Sequence, residues 1–343
     1  MQIITAGLWP LLLGLMLLLP YFGGSAAYAQ GQDTQAQRQQ VQPGNNAPVW
    51  RDVRSGKEEY TSIKGRETGV LIQTYGDTWR QIRNGPITLY GGWLIVLMIA
   101  ALGMFYQWRG KIMLHEKPTG KMIERFSSFE RIAHWTAAIS FCVLGISGMI
   151  ILFGKHVLLP VIGYTLFAWL VSLAKNLHNF VGPVFIFATV VLIFTFIRDN
   201  WPKVHDIAWL IKGGGLVSGE HVPSDRFNGG EKVWFWFGVI GLGVVMSVTG
   251  LILNFPNFDQ VRSVMIEANI VHAIGSVIFV AMGLAHIYLG TIGMEGAYEA
   301  MREGYVDEAW AKEHHEFWLN DLKSGKIKTG SGTPGAAQPQ GGD

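Results

Sequence analysis

The sequence predicts an all-α membrane protein: a bundle of transmembrane helices, one additional N-terminal transmembrane helix and a small polar module outside the membrane. Three observations carry that expectation. Of the 343 residues, 49% are hydrophobic and only 15% charged, the balance of a membrane chain rather than a soluble one. Five apolar segments beyond the N-terminus each approach the ~20 residues that cross a bilayer. Finally, Lys and Arg gather in alternate loops, the pattern that fixes orientation in a membrane.

The elements follow in order. The N-terminus, MQIITAGLWPLLLGLMLLLPYFGGSAAYAQ, has an apolar core and then small residues ending Ala27-Tyr28-Ala29. That A-x-A pattern predicts a signal peptide cut after Ala29, although its first residues lack Lys and Arg; a retained N-terminal helix is the alternative. A Gln-rich linker follows. Trp50 to about Gly85 reads as a polar module of short strands and turns on the membrane surface, without a catalytic constellation. The five spans are expected near Leu89–Trp108, Ile132–Phe153, Leu177–Ile197, Trp234–Asn254 and Ile270–Met294.

Between the first two spans lie Arg109, Lys111, Lys117, Lys121, Arg125 and Arg131; between the third and fourth lie Arg198, Lys203, Lys212, Arg226 and Lys232. The opposite loops hold only Lys155, Lys175 and Arg262. The dense loops and the C-terminal tail are therefore expected in the cytoplasm and the polar module outside. The stretch IKGGGLVSGEHVPSD is glycine-rich but lacks the strand before it and the lysine of a phosphate loop, so it predicts no nucleotide site. From about Lys323 the composition predicts disorder.

A single cysteine, Cys142, excludes a disulfide framework, a four-cysteine zinc site and an iron–sulfur cluster built by this chain alone. A metal must then be held mainly by histidine. Of ten histidines, His115, His156, His205, His221, His314 and His315 fall outside the spans, and a solvated surface role is expected for them. His134, His178, His272 and His286 fall inside, where an imidazole is expensive and is usually functional. By depth they form two pairs, His178 with His272 at the outer side and His134 with His286 at the cytoplasmic side.

The fourteen residues between His272 and His286 support this pairing. At about 100° per residue the two lie within roughly 40° of each other, and at about 1.5 Å per residue they are about 21 Å apart. They cannot share one metal, but each can be half of a bis-histidine site. Haem suits such sites, because imidazole is a usual axial ligand of its iron. Gly275, Gly283, Gly182, Ala137 and Ala138 offer small side chains beside the four ligands, although small residues also let bare helices approach. No C-x-x-C-H occurs, so the haems are expected to be non-covalent and b-type. A lone membrane histidine is as readily explained by an interhelical hydrogen bond. Zinc or di-iron would recruit carboxylates or cysteines that the spans lack near these residues.

At this point the chain resembles a known family. RIAHWT, LHNFVGPVFIF, FNGGEKVWFW, VHAIGSVIFVAMGLAHIYLG and the tail MREGYVDEAWAKEHHEFW, from about Glu124 to Trp318, are similar to the gamma subunit, cytochrome b556, of respiratory formate dehydrogenase. The extra span and outer module look like the longer form of that subunit in some Gram-negative bacteria. The resemblance implies a di-haem four-helix bundle in the bacterial inner membrane. It would carry electrons from an iron–sulfur beta subunit to quinone, while a molybdenum or tungsten alpha subunit oxidises formate.

By position, the resemblance makes His178 and His272 ligands of the outer b haem and His134 and His286 ligands of the inner one. Asn228 and Gly230, with His286 alongside, match the quinone-contacting segment. Helix capping beside Glu231 is the other reading of Asn228. Glu231 stands where a short-form member has Gln, which leaves proton supply open. Arg125, Arg131, Arg198 and Lys232 are candidates for haem propionates, with interfacial anchoring as their alternative.

The expected organisation is a signal peptide at 1–29, a periplasmic linker and module at 30–87, and the additional span at 88–108. A cytoplasmic loop follows at 109–130, then the four-helix di-haem domain at 131–294 and a cytoplasmic tail at 295–343, disordered at its end. The rival readings are a cytochrome b subunit of a hydrogenase or another oxidoreductase, and a haem-free anchor or transporter.

Overall fold

The structure, a computed structural model, describes residues 47–57, 74–258 and 260–327. The predicted signal peptide, the linker up to residue 46 and the end of the tail lie outside them. Five helices are long and apolar enough to cross a membrane: Tyr75–Arg109, Ser128–Val157, Leu159–Phe196, Gly229–Asn254 and Arg262–Gly293. The chain is an integral membrane protein, and its regular structure among the described residues is helical apart from two three-residue strands and an isolated bridge.

The module ahead of the spans differs from expectation. Its described residues form helices, α1 (Ala47–Ser55) and α2 (Thr74–Ile82), not strands. On α2, Asp77 accepts hydrogen bonds from Arg80 and Gln81 at helical spacing, 2.7 and 2.8 Å, pairs that favour a helix. Pro86 does not end the run. A π-helical segment, Arg83–Ile87, absorbs it, and the Thr88 hydroxyl donates to the Arg83 carbonyl at 2.6 Å. The first span thus continues from α2 into α3 (Thr88–Arg109).

Helix α4 (Ser128–Val157) opens on a capping box. Ser127 N–H donates to Glu130 Oε2 at 2.7 Å and Glu130 N–H to Ser127 Oγ at 3.4 Å, satisfying two orphan donors. Helix α5 (Leu159–Phe196) begins well before the expected Leu177. The one break in it is Gly163, at φ 74°. After α6 (Val204–Ile211), the fourth span is built from α7 (Gly229–Val233), a π-helical stretch Trp234–Leu242 and α8 (Gly243–Asn254). Helix α9 (Arg262–Tyr288) carries His272 and His286.

The described residues group into two compact units whose boundaries fall inside the spans. One holds residues up to Val96, Ile146–Asn176 and Val248–Val277. Within it, Gly91 of the first span lets the helix approach α9 so closely that a Cβ would lie 3.1 Å from Val277, and Arg83 Nη2 donates to the Ile151 carbonyl at 2.9 Å.

The other unit holds Leu97–Gly145, Leu177–Ser247 and the chain from Ile278. Its core joins Phe126, Phe196 and Phe235 to Trp310, Trp318 and Leu319 of the tail. The tail is therefore folded as far as it is described, as α10 (Ala297–Glu303), β2 (Tyr305–Asp307), α11 (Glu308–His314) and α12 (Glu316–Lys323). Strand β1 (Met122–Glu124) pairs antiparallel with β2, Ile123 opposite Val306. Gly304, at φ 94°, is needed there because a Cβ would lie 2.5 Å from the Phe126 carbonyl oxygen.

Candidate functional site

Helices α4 and α9 bring His134 and His286 face to face. Their ring centres are 6.3 Å apart and their planes 58° apart. Imidazole nitrogens bond metals at about 2 Å, so two rings on opposite sides of one iron put their centres roughly 6 Å apart. The geometry fits that spacing. In addition, His134 Nδ1 is buried without a hydrogen-bond partner among the described residues, although buried polar atoms are nearly always paired. Sequence reasoning missed Trp234, whose indole stacks on the His286 ring at 4.8 Å and 12°. The π-helical stretch that begins at Trp234 was the obscured signal, since it shifts the fourth span off ordinary helical spacing.

The second candidate site shows its supporting partner. His272 Nδ1 lies 2.8 Å from Thr249 Oγ1. In the tautomer where Nδ1–H donates to the hydroxyl, Nε2 keeps the lone pair that a metal takes. Gly250, the next residue, would bring a Cβ to 3.5 Å of the same ring, so α8 closes on it. Thr249 was not anticipated, because a threonine in a membrane span carries no sequence signal of its own. His178 is half-buried on α5, and no Cβ contact would arise at Gly182 one turn on. Gly283 has a different use from the one expected. The Phe141 ring occupies the space beside it, within 2.6 Å of where a Cβ would stand.

Asn228 and Gly230 sit where the fourth span begins. Asn228 is the N-cap of α7: its side chain accepts from Glu231 N–H at 2.9 Å, and Glu231 Oε2 accepts from Asn228 N–H at 2.8 Å. The capping alternative is thus observed. Glu231 Oε1 receives Arg125 Nη2 at 3.0 Å, so both of its oxygens are engaged. A Cβ on Gly230 would meet the Trp209 indole at 2.9 Å. One turn beyond Gly230 along the same helix stands Trp234, the residue stacked on His286.

Charged side chains frame this loop. Arg125 is buried, bound to Glu231 and the Arg226 carbonyl and lying over the Phe126 and Trp310 rings at 4.8 and 4.9 Å. Lys232 is buried on both Asp206 oxygens, at 2.9 and 2.8 Å, and on Asp225 at 3.3 Å. His205 joins Asp225 at 2.9 Å. Burial works against the Asp225 carboxylate, but hydrogen bonds from Lys203 and His205 outweigh it and hold its pKa below the usual value. His205, Asp206 and Asp225 have the composition of a cation site, and the Lys232 ammonium already fills it. As propionate partners, Arg125 and Lys232 are therefore committed elsewhere, and Arg131 Nη1 donates to the Arg302 carbonyl at 2.7 Å. His315, expected at the surface, is buried. Its Nδ1 lies 2.6 Å from the Asp225 carbonyl and 3.2 Å from Ser224 Oγ.

Membrane helices that bring two imidazoles together at the spacing of a bis-histidine metal site are the arrangement of a membrane cytochrome. Comparison with known proteins agrees: the family model described as prokaryotic cytochrome b561 matches residues 125–304. The chain belongs to the prokaryotic cytochrome b561 family, whose members bind haem b. Among curated relatives, the cytochrome b556(fdo) subunit of formate dehydrogenase from Escherichia coli K12 is 31% identical over 210 residues, 59% of this chain and 93% of that protein. The nitrate-inducible cytochrome b556(Fdn) subunit of the same organism is 30% identical over 219 residues, 61% of this chain and 95% of that protein. The formate dehydrogenase cytochrome b556 subunit of Haemophilus influenzae is 28% identical over 211 residues, 58% and 82%.

Proposed function

We propose that the chain is the membrane cytochrome b subunit of a respiratory formate dehydrogenase, passing electrons from an iron–sulfur beta subunit through two b haems to quinone. A molybdenum- or tungsten-containing alpha subunit oxidises the formate. The chain lies in the bacterial inner membrane with its C-terminus in the cytoplasm. The observation that carries the reading is the pairing of His134 with His286, within a segment shared with relatives named as formate dehydrogenase subunits.

Haem b, when bound, supplies reversible one-electron transfer. His134 and His286 would hold the inner group and Trp234 fix the His286 ring. Thr249 would set the His272 tautomer for an outer group shared with His178, a pairing that rests on sequence depth and the family resemblance. Asn228 and Gly230 would contact quinone beside His286. Glu231 serves this loop as a capping anion bound to Arg125, which supports proton entry by another route.

A reduced-minus-oxidised spectrum of purified membranes tests the reading. An alpha band near ~560 nm is expected from bis-histidine b haem, and its absence sinks the proposal. Co-purification with a formate-oxidising subunit separates it from a hydrogenase cytochrome. In His134→Ala or His286→Ala the haem content should fall from two per chain to one, with loss of quinone reduction. His178→Ala and His272→Ala should lose the other haem. Retention of both haems in all four variants would refute the pairing.

A further inference from the structure

Helix α6 is amphipathic in the reverse of the sense that water favours. Its charged face points inward, with Asp206 only 5% exposed beneath Lys232. Its outward face is apolar: Val204 is 86%, Ile207 60% and Ile211 81% exposed, one stripe at three- and four-residue spacing. Exposed Trp201 and Val217 extend the stripe at either end.

The depth of this face is fixed from both sides. Helix α6 starts eight residues after Phe196, the last residue of the third span. It also packs on the first residues of the fourth, where a Cβ on Gly229 would lie 2.9 Å from the Asp206 carbonyl oxygen. The stripe is therefore level with the ends of the spans and continuous with their apolar surface. Exposed Arg198 flanks it, with Lys203 and Lys212, which pair with Asp225 and Glu220, on the same border, and cations flanking an apolar face match anionic headgroups. Tryptophan at one end is the usual interfacial residue.

We propose that α6 lies in the plane of the membrane, its Val204–Ile207–Ile211 face among the acyl chains of the leaflet at the His134–His286 end. In that position it presses Trp209 against Gly229 and Gly230, so that the loop beginning at Asn228 borders lipid. Trp209 is then a positioning residue for that loop, a role that rests on the quinone reading above.

Val204→Cys, Ile207→Cys and Ile211→Cys, with Ser218→Cys as the solvent reference and Cys142→Ser throughout, are nitroxide-labelled in the purified complex. The complex is reconstituted into vesicles of phosphatidylethanolamine and phosphatidylglycerol. Labels at 204, 207 and 211 should collide with oxygen more than with a water-soluble nickel chelate, and the label at 218 should show the reverse. Nickel access at all positions overturns the proposal. So does exclusion of both reagents in the complex with nickel access in the isolated chain, which would mark a protein partner.

Separately, Trp209→Ala should keep both haems and raise the KM for a short-chain quinone by roughly tenfold, and Trp209→Phe should restore it. An unchanged KM overturns the coupling to the loop. Failure of the wild-type complex to reduce quinone would instead refute the quinone reading and leave the label result standing.

Discussion

A histidine has two ring nitrogens, and the partner of one decides what the other can do. For His272 that partner is Thr249, whose hydroxyl lies 2.8 Å from Nδ1; if Nδ1–H donates to it, Nε2 keeps its lone pair for a metal. Thr249→Val removes the hydroxyl at nearly constant volume, so the ring loses its orientation while the helix keeps its packing. The expected result is weaker haem retention, about 10- to 100-fold as for other outer-shell partners, together with a shifted potential for that haem alone. Haem titration and a redox titration read the two effects. An unchanged second potential would show that the hydroxyl does not act through His272. The facing pair His134 and His286 could be singled out in the sequence because imidazole is conspicuous in a hydrocarbon segment. Trp234 and Thr249 could not, because an indole or a hydroxyl in a span is ordinary until its neighbour is known.

Among the elements, the start of the fourth span is held by charge. Lys232 ties α7 to α6 through Asp206 and Asp225, all inside the protein. Lys232→Met leaves the buried Asp206 carboxylate without its cation, while Asp225 keeps Lys203 and His205, and an uncompensated buried charge costs about 3–5 kcal/mol. A lowered melting temperature of the purified complex checks this, and a neutral effect would mean that the carboxylates find water or another cation. The spans could be read from the sequence because bilayer thickness imposes both length and composition. The join between α2 and α3 could not, since Pro86 normally argues for a break and only a π-helical turn removes that objection. The tail was equally opaque: its polar sequence hides Trp310 and Trp318, whose burial depends on residues far away in the chain.

For the whole molecule, the tail makes the fold sensitive to pH. Burial pushes His314 down to about 4 from the ordinary 6.5 and holds His315 well below it. The unfolded chain therefore takes up protons below pH 6.5 that the folded one refuses, at His314 until about 4. Stability from these two groups is complete above 6.5 and is lost as pH falls through that window. Asp225 and Asp307, whose pKa values are lowered, keep their contribution until pH falls below the ordinary carboxylate value of 3.8, so they do not mask the effect. Protection factors of the amides across 305–322, corrected for the intrinsic slowing of exchange, should fall between pH 7 and pH 5. If they do not, protonation of these histidines is not linked to opening of the tail.

The β1–β2 ladder has a consequence for the order of manufacture. Met122 precedes four of the spans and Asp307 follows all of them, so on the ribosome the first strand waits for its partner until the last helix has been made. Contacts so distant in sequence form late. The nascent chain consequently passes through a stage in which all four histidines of the spans have been synthesised and this ladder is still open. Only when Tyr305–Asp307 emerges can it pair with Met122–Glu124 and tie the chain after the last span to the chain before the second.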